Sequence, residues 1–76
     1  MITELVEYIV RQLAQDQDQI HIELVKDGAK HVVQIRVSDR DRRRLIGRGG
    51  QTIKAIRSIV DVMLPRGKRV GVSIIE

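Results

Sequence analysis

The sequence predicts an α+β domain, with three helices packed on one face of a three-stranded sheet in the order α-β-β-α-α-β. Three observations predict it. Apolar residues recur at helical spacing in three segments and alternate in three others. The two central helical segments are separated by a glycine cluster, not by a strand. Elements this short bury their apolar faces only by stacking a helical layer on a sheet. The 76 residues form one domain, 1–76. A chain of this size buries roughly 60% of its unfolded surface, so its core is small.

Ile2, Leu5, Val6, Ile9, Val10 and Leu13 follow i, i+3, i+4, i+7 spacing, which predicts an amphipathic helix near residues 2–14. Gln15-Asp16-Gln17-Asp18 ends it. Ile20, Ile22 and Leu24 alternate with His21 and Glu23, the pattern of a half-buried strand. Asp27-Gly28 signals a hairpin. Val33, Ile35 and Val37 alternate with Gln34 and Arg36 in the second strand. The core-facing residues are even-numbered in the first strand and odd-numbered in the second. Paired residues share a face, so their numbers must sum to an odd value. A two-residue Asp27-Gly28 loop or a four-residue loop satisfies this, and a three-residue loop does not.

Ser38 or Asp39 can cap a short helix reaching Ile46. Ile53, Ile56, Ile59, Val60 and Met63 mark a helix from about Gln51 to Leu64, with Lys54, Arg57 and Asp61 on its polar side. Pro65 and Gly67 stop it, and Arg66, Lys68 and Arg69 make the next loop basic. Val70, Val72 and Ile74 alternate in a last strand.

The glycine cluster is Gly47-Arg48-Gly49-Gly50, set between Arg42-Arg43-Arg44-Leu45-Ile46 and Gln51-Thr52-Ile53-Lys54. Glycine admits positive φ and close backbone approach. The first N–H groups of the following helix lack intrahelical partners, and the helix dipole adds partial positive charge there. Together these make a phosphate seat, to which Arg48 can add a charge-assisted contact. The plain alternative is a helix-loop-helix turn with glycines at a C-cap. The helical apolar spacing on both flanks favours the clamp. Two other glycine motifs fail: G-x-x-x-x-G-K-[ST] is absent, and G-x-G-x-x-G would need glycine where Thr52 stands.

Composition narrows the function. The formal net charge is +4, but residues 1–35 carry three cations against six acids, while residues 36–76 carry eleven cations against four. A basic half around a phosphate-shaped loop points to a polyanion. Tyr8 is the one aromatic residue, which argues against RRM, OB and cold-shock modules that stack bases on aromatic rings. Cysteine is absent, which suits a reducing compartment. No apolar run approaches the ~20 residues of a membrane span. Glu4 and Glu7 interrupt any signal-peptide pattern. A soluble, cytoplasmic protein is expected. His21 and His31 fall on opposite faces of the hairpin, so no metal site is expected. Asp39 and Asp41, flanked by arginines at a helix start, read as capping and salt-bridging residues, not as a catalytic pair. No serine, histidine and acid combination signals a triad. No enzyme, cofactor or small-molecule substrate is expected.

The layout resembles type II KH domains and, more closely, the small stand-alone bacterial KH-domain proteins of the KhpA kind. The resemblance covers essentially the whole chain. It rests on Leu5-Val6-Glu7-Tyr8-Ile9, on the run from Leu45 to Arg57 around the loop, and on Gly67-Lys68-Arg69-Val70. It implies binding of single-stranded RNA, with single-stranded DNA as a substitute in vitro. About four nucleotides would lie in a groove, backbone on the G-x-x-G loop and bases on an aliphatic floor. Gly47, Arg48, Gly49 and Gly50 would form the clamp. Arg44, Lys54 and Arg57 are the candidate cations beside it. Ile46 and Ile53 (with Ile56) are candidates for the floor, although their spacing fits core positions better. Lys68 and Arg69 would stand on the opposite wall, the loop from Pro65 to Arg69. The resemblance further implies an RNA chaperone or post-transcriptional regulator, working as a homodimer or as a heterodimer with another KH-containing protein. The alternative is an assembly scaffold acting mainly through a protein partner. Two positions depart from the family pattern: Arg43 stands where glycine is common, and Gly49 where a polar side chain is usual.

Overall fold

Three strands set the frame of the computed structural model, which describes residues 2–75. β1 (His21–Asp27) and β2 (Lys30–Arg36) form an antiparallel hairpin, and β3 (Val70–Ile75) joins β2 in parallel, giving the order β1-β2-β3. The helices are α1 (Ile2–Leu13), α2 (Asp39–Ile46) and α3 (Gln51–Met63). Short 3₁₀ turns at Gln17–Gln19 and Arg48–Gly50 complete the chain. The architecture is the predicted α+β arrangement in the predicted order. Parallel pairing of β2 with β3 follows from the two-helix crossover between them, which leaves no room for a tight return.

The core is aliphatic. Val6 and Val10 of α1, Leu45 of α2 and Ile56 and Val60 of α3 meet Val33 and Ile35 of β2 and Val72 of β3. Helical spacing put the first group on one side of each helix, and strand alternation put the second on one face of the sheet.

The hairpin obeys the parity rule, with His21 opposite Arg36 and Asp27 opposite Lys30. Its turn sits one residue later than Asp27-Gly28, at Gly28-Ala29. Gly28 has φ +63° and no non-glycine residue among the described residues has positive φ, the pattern of a type II′ turn with glycine first. Leu24, expected to face the core, is exposed. β1 is an edge strand, and the helical layer that buries Val33 stops short of Leu24 opposite it. Ile59 and Met63 are exposed as well. They flank the Ile56–Val60 line on a helix whose apolar arc is wider than the surface it covers.

The start of α2 is fixed by polar contacts. Ser38 is its N-cap, accepting the Asp41 N–H. The helix therefore runs unbroken from Asp39 through Arg43 to Ile46. Asp39 pairs with Arg42 at 3.0 Å. Asp41 behaves differently. Its carboxylate is fully buried and accepts the backbone N–H groups of Gln15 at 3.0 Å and Asp16 at 2.8 Å. Asp16 in turn accepts a two-pronged contact from Arg40 (Nε 3.0 Å, Nη2 2.8 Å) and a bond from Ser38 Oγ at 2.6 Å. These bonds lock the segment after α1 onto the first turn of α2. The Arg40 and Ser38 donors hold the Asp16 carboxyl at about 2. The Gln15 N–H lowers that of Asp41, against the opposing effect of burial.

Candidate nucleic-acid interface

α2 ends where Gly47 N–H donates to the Arg43 carbonyl at 3.0 Å. Gly47 then turns the chain away at φ 75°, ψ 174°, a region essentially reserved for glycine. A side chain there would also meet Thr52, whose Cβ lies 2.9 Å and backbone N 3.0 Å from the Cβ position. Arg48–Gly50 form one 3₁₀ turn, closed by Gly50 N–H to the Gly47 carbonyl at 3.2 Å. Gly49 (φ 64°, ψ 18°) and Gly50 (φ 77°, ψ 15°) are both left-handed. Gly50 caps α3 and supplies no side-chain acceptor. The N–H groups opening α3 thus keep the donor capacity that an external anion can take up.

The cations around this loop divide by what they already hold. Arg42 is tied to Asp39 and Arg40 to Asp16. Arg44, Arg48 and Lys54 make no hydrogen bond or ion pair among the described residues, and all three are exposed. Ile46 is 38% exposed and presents an aliphatic surface beside the loop. Ile53 is only 7% exposed and Ile56 is buried. Both belong to the core, so of the three floor candidates only Ile46 offers appreciable surface to a base.

The remaining candidates lie towards the other end of α3, a helix of 13 residues and so about 20 Å long. Arg57, Lys68 and Arg69 line one concave region of 660 Å³ between α3 and β3. Arg57 spans it, donating from Nε to the Val72 carbonyl at 3.1 Å. β3 is an edge strand, and this bond occupies one of its outward carbonyls. Asp61, His31 and Ser73 line the same region. The candidates therefore fall at two stations along α3, the glycine loop at its start and the basic cavity beside its second half.

Residues 3–74 match the family model for the KH domain of KhpA and KhpB. The chain belongs to this KH family. Among its relatives, the RNA-binding protein KhpA of Mycobacterium tuberculosis is 32% identical over 72 residues, covering 95% of this chain and 90% of that one. The RNA-binding protein KhpA of Clostridium perfringens is 33% identical over 73 residues, covering 95% and 97%. That of Leifsonia xyli is 29% identical over 76 residues, covering 100% and 99%. No match was found among solved structures.

Within this KH fold, the G-x-x-G loop was the part with a local signature, because its glycines and flanking cations are contiguous. Asp61, His31 and the edge of β3 carry no such signature. They come together through the parallel pairing of β2 and β3, which no short motif announces. The crossover rule was the one signal that could have placed them. Among the described residues, no cluster of three or more histidine, cysteine, aspartate or glutamate side chains is placed to hold a metal ion. No helix among them is long and apolar enough to cross a membrane.

Proposed function

We propose that this chain is a single-stranded RNA-binding protein. In this reading Gly47-Arg48-Gly49-Gly50 clamps the phosphate backbone, and about four bases extend along α3 towards the Pro65–Arg69 loop. One observation carries it: a glycine turn opens α3 without a side-chain cap, beside two exposed cations, Arg48 and Lys54, that make no hydrogen bond or ion pair among the described residues. The names of the KhpA relatives support RNA as the ligand class. The chain is not an enzyme, since its family is a KH family and not a catalytic one. The role that fits is an RNA chaperone or post-transcriptional regulator in the cytoplasm, assembled as a homodimer or with another KH-containing protein. Such pairing raises affinity by linking two short grooves.

Replacing Arg48 and Gly49 together with Asp tests the clamp. A side chain at Gly49 meets nothing within 4 Å, so the variant keeps its core and puts two carboxylates at the phosphate seat. RNA affinity should fall to background while the circular dichroism spectrum is kept. Undiminished affinity in the folded variant would sink the clamp. The wild-type interaction should also weaken with salt. Three or four neutralised phosphates give a slope of log K against log salt of about −2 to −3 for single strands.

A further inference from the structure

The groove holds a carboxylate among its cations. Asp61 lines the 660 Å³ cavity together with Arg57, Lys68 and Arg69. It lies four residues beyond Arg57 on α3, so the two heads are neighbours on one side of the helix. They are not partners. Arg57 Nε is committed to the Val72 carbonyl at 3.1 Å, which holds the guanidinium against β3 and leaves its Nη groups uncommitted. The Asp61 side chain makes no hydrogen bond or ion pair among the described residues.

A carboxylate beside a phosphate is repulsive, so a groove that carried only backbone at this station would be better served without Asp61. A base is a different ligand. It meets a planar donor fork on one side and a two-oxygen acceptor on the other. Adenine, cytosine and uracil each present one donor nitrogen on the Watson–Crick edge. Guanine presents two side by side, N1–H and N2–H₂, next to the acceptor O6. Guanine alone offers a donor to each oxygen of the carboxylate together with an acceptor for the guanidinium. The cavity is within the size range of small-ligand sites, roughly 300–1,000 Å³.

We propose that Arg57 and Asp61 form a guanine-reading site at the α3–β3 station of the groove. Asp61 accepts from N1–H and N2–H₂, and Arg57 donates to O6. Lys68 and Arg69 hold the flanking phosphates. This inference rests on the RNA-binding reading above and adds base selectivity to it.

The test is fluorescence anisotropy with hexauridylate and with the same hexamer carrying guanosine or inosine at each position in turn. Inosine keeps O6 and N1–H but lacks the N2 amino group. At one position, guanosine should raise affinity roughly ten-fold over uridine, within the range of a good bidentate base contact. Inosine should forfeit several-fold of that gain. Asp61→Asn should make guanosine and inosine bind equally. Arg57→Lys keeps the charge but loses the fork, and should cut the guanosine advantage to about three-fold or less. Each readout is a ratio on one protein, so a general weakening of a variant cancels. No guanosine preference at any position, or a full guanosine–inosine difference in Asp61→Asn, would overturn the proposal. Failure of hexauridylate itself to bind the wild type would remove the RNA-binding reading. Binding without base preference would remove only the guanine site.

Discussion

Gly47 is constrained twice, and the two constraints have different origins. Its φ of 75° with ψ of 174° strains any residue with a Cβ, at about 1–3 kcal/mol. Its closeness to Thr52 adds a collision. Gly49 carries only the first kind of constraint, in a milder left-handed region with open space around it. Gly47→Ala should therefore destabilise by roughly 2 kcal/mol or more, and Gly49→Ala by about 1 kcal/mol. Urea midpoints of the two variants measure the difference, and equal midpoints would contradict the account. The loop sequence alone could not rank these glycines, because the ranking depends on where Thr52 folds back. The exposed state of Arg44, Arg48 and Lys54 was equally beyond the sequence. Only the pairing of Arg42 with Asp39 and of Arg40 with Asp16 shows which arginines are already spoken for.

At the scale of elements, periodicity located every helix and strand, because each carries one apolar face against one core, although both hairpin strands extend about three residues further towards the turn than their alternating residues. The junction between α1 and α2 escaped it. Asp41 reads as a helix-start acid, and its bonds to the backbone of Gln15 and Asp16 span a separation with no sequence signature. This junction should make the fold acid-sensitive. Asp16 and Asp41 titrate below the ordinary value of 3.8, Asp16 at about 2. In the unfolded chain both protonate first, so the stability they contribute is present above about pH 4 and drains as pH falls towards 2. Urea midpoints between about pH 5 and pH 2 should decline in the wild type. Asp41→Asn offers one acceptor oxygen to the two part-buried N–H groups of Gln15 and Asp16, which costs about 1–3 kcal/mol at neutral pH, and its decline with acid should be shallower. An unchanged decline would place the acid sensitivity elsewhere.

At the scale of the molecule, charge and apolar surface occupy different sides. The acid-rich first half builds α1 and β1, and the basic second half supplies the glycine loop and, with Lys30, His31 and Val32 of β2, the walls of the cavity. The outer sheet face carries the Val25–Val32 pair and Ile75, interrupted by Glu23, Gln34 and Ser73. Apart from Leu24 on β1, the most exposed large apolar side chains among the described residues are on the helices: Tyr8, Ile59, Met63 and Val62, the last 82% exposed. On α3 these lie well around the helix from Arg57. Self-association is therefore expected through the helical side, with the groove left open. Sedimentation over a concentration series should show a dimer that Val62→Asp converts to monomer and that a short single-stranded RNA leaves intact. A wild-type monomer at high concentration would refute the dimer, and dissociation by RNA would move the interface to the groove.

The lock between α1 and α2 has a consequence for how the chain can vary. Asp41 grips main-chain N–H groups and is indifferent to the side chain at position 15. Nearly any residue there can preserve the grip, with one exception. Proline has no N–H to give. Position 41 has no such latitude, since its buried side chain must present two acceptor oxygens at that one place. The same bond thus imposes opposite tolerances on its two ends.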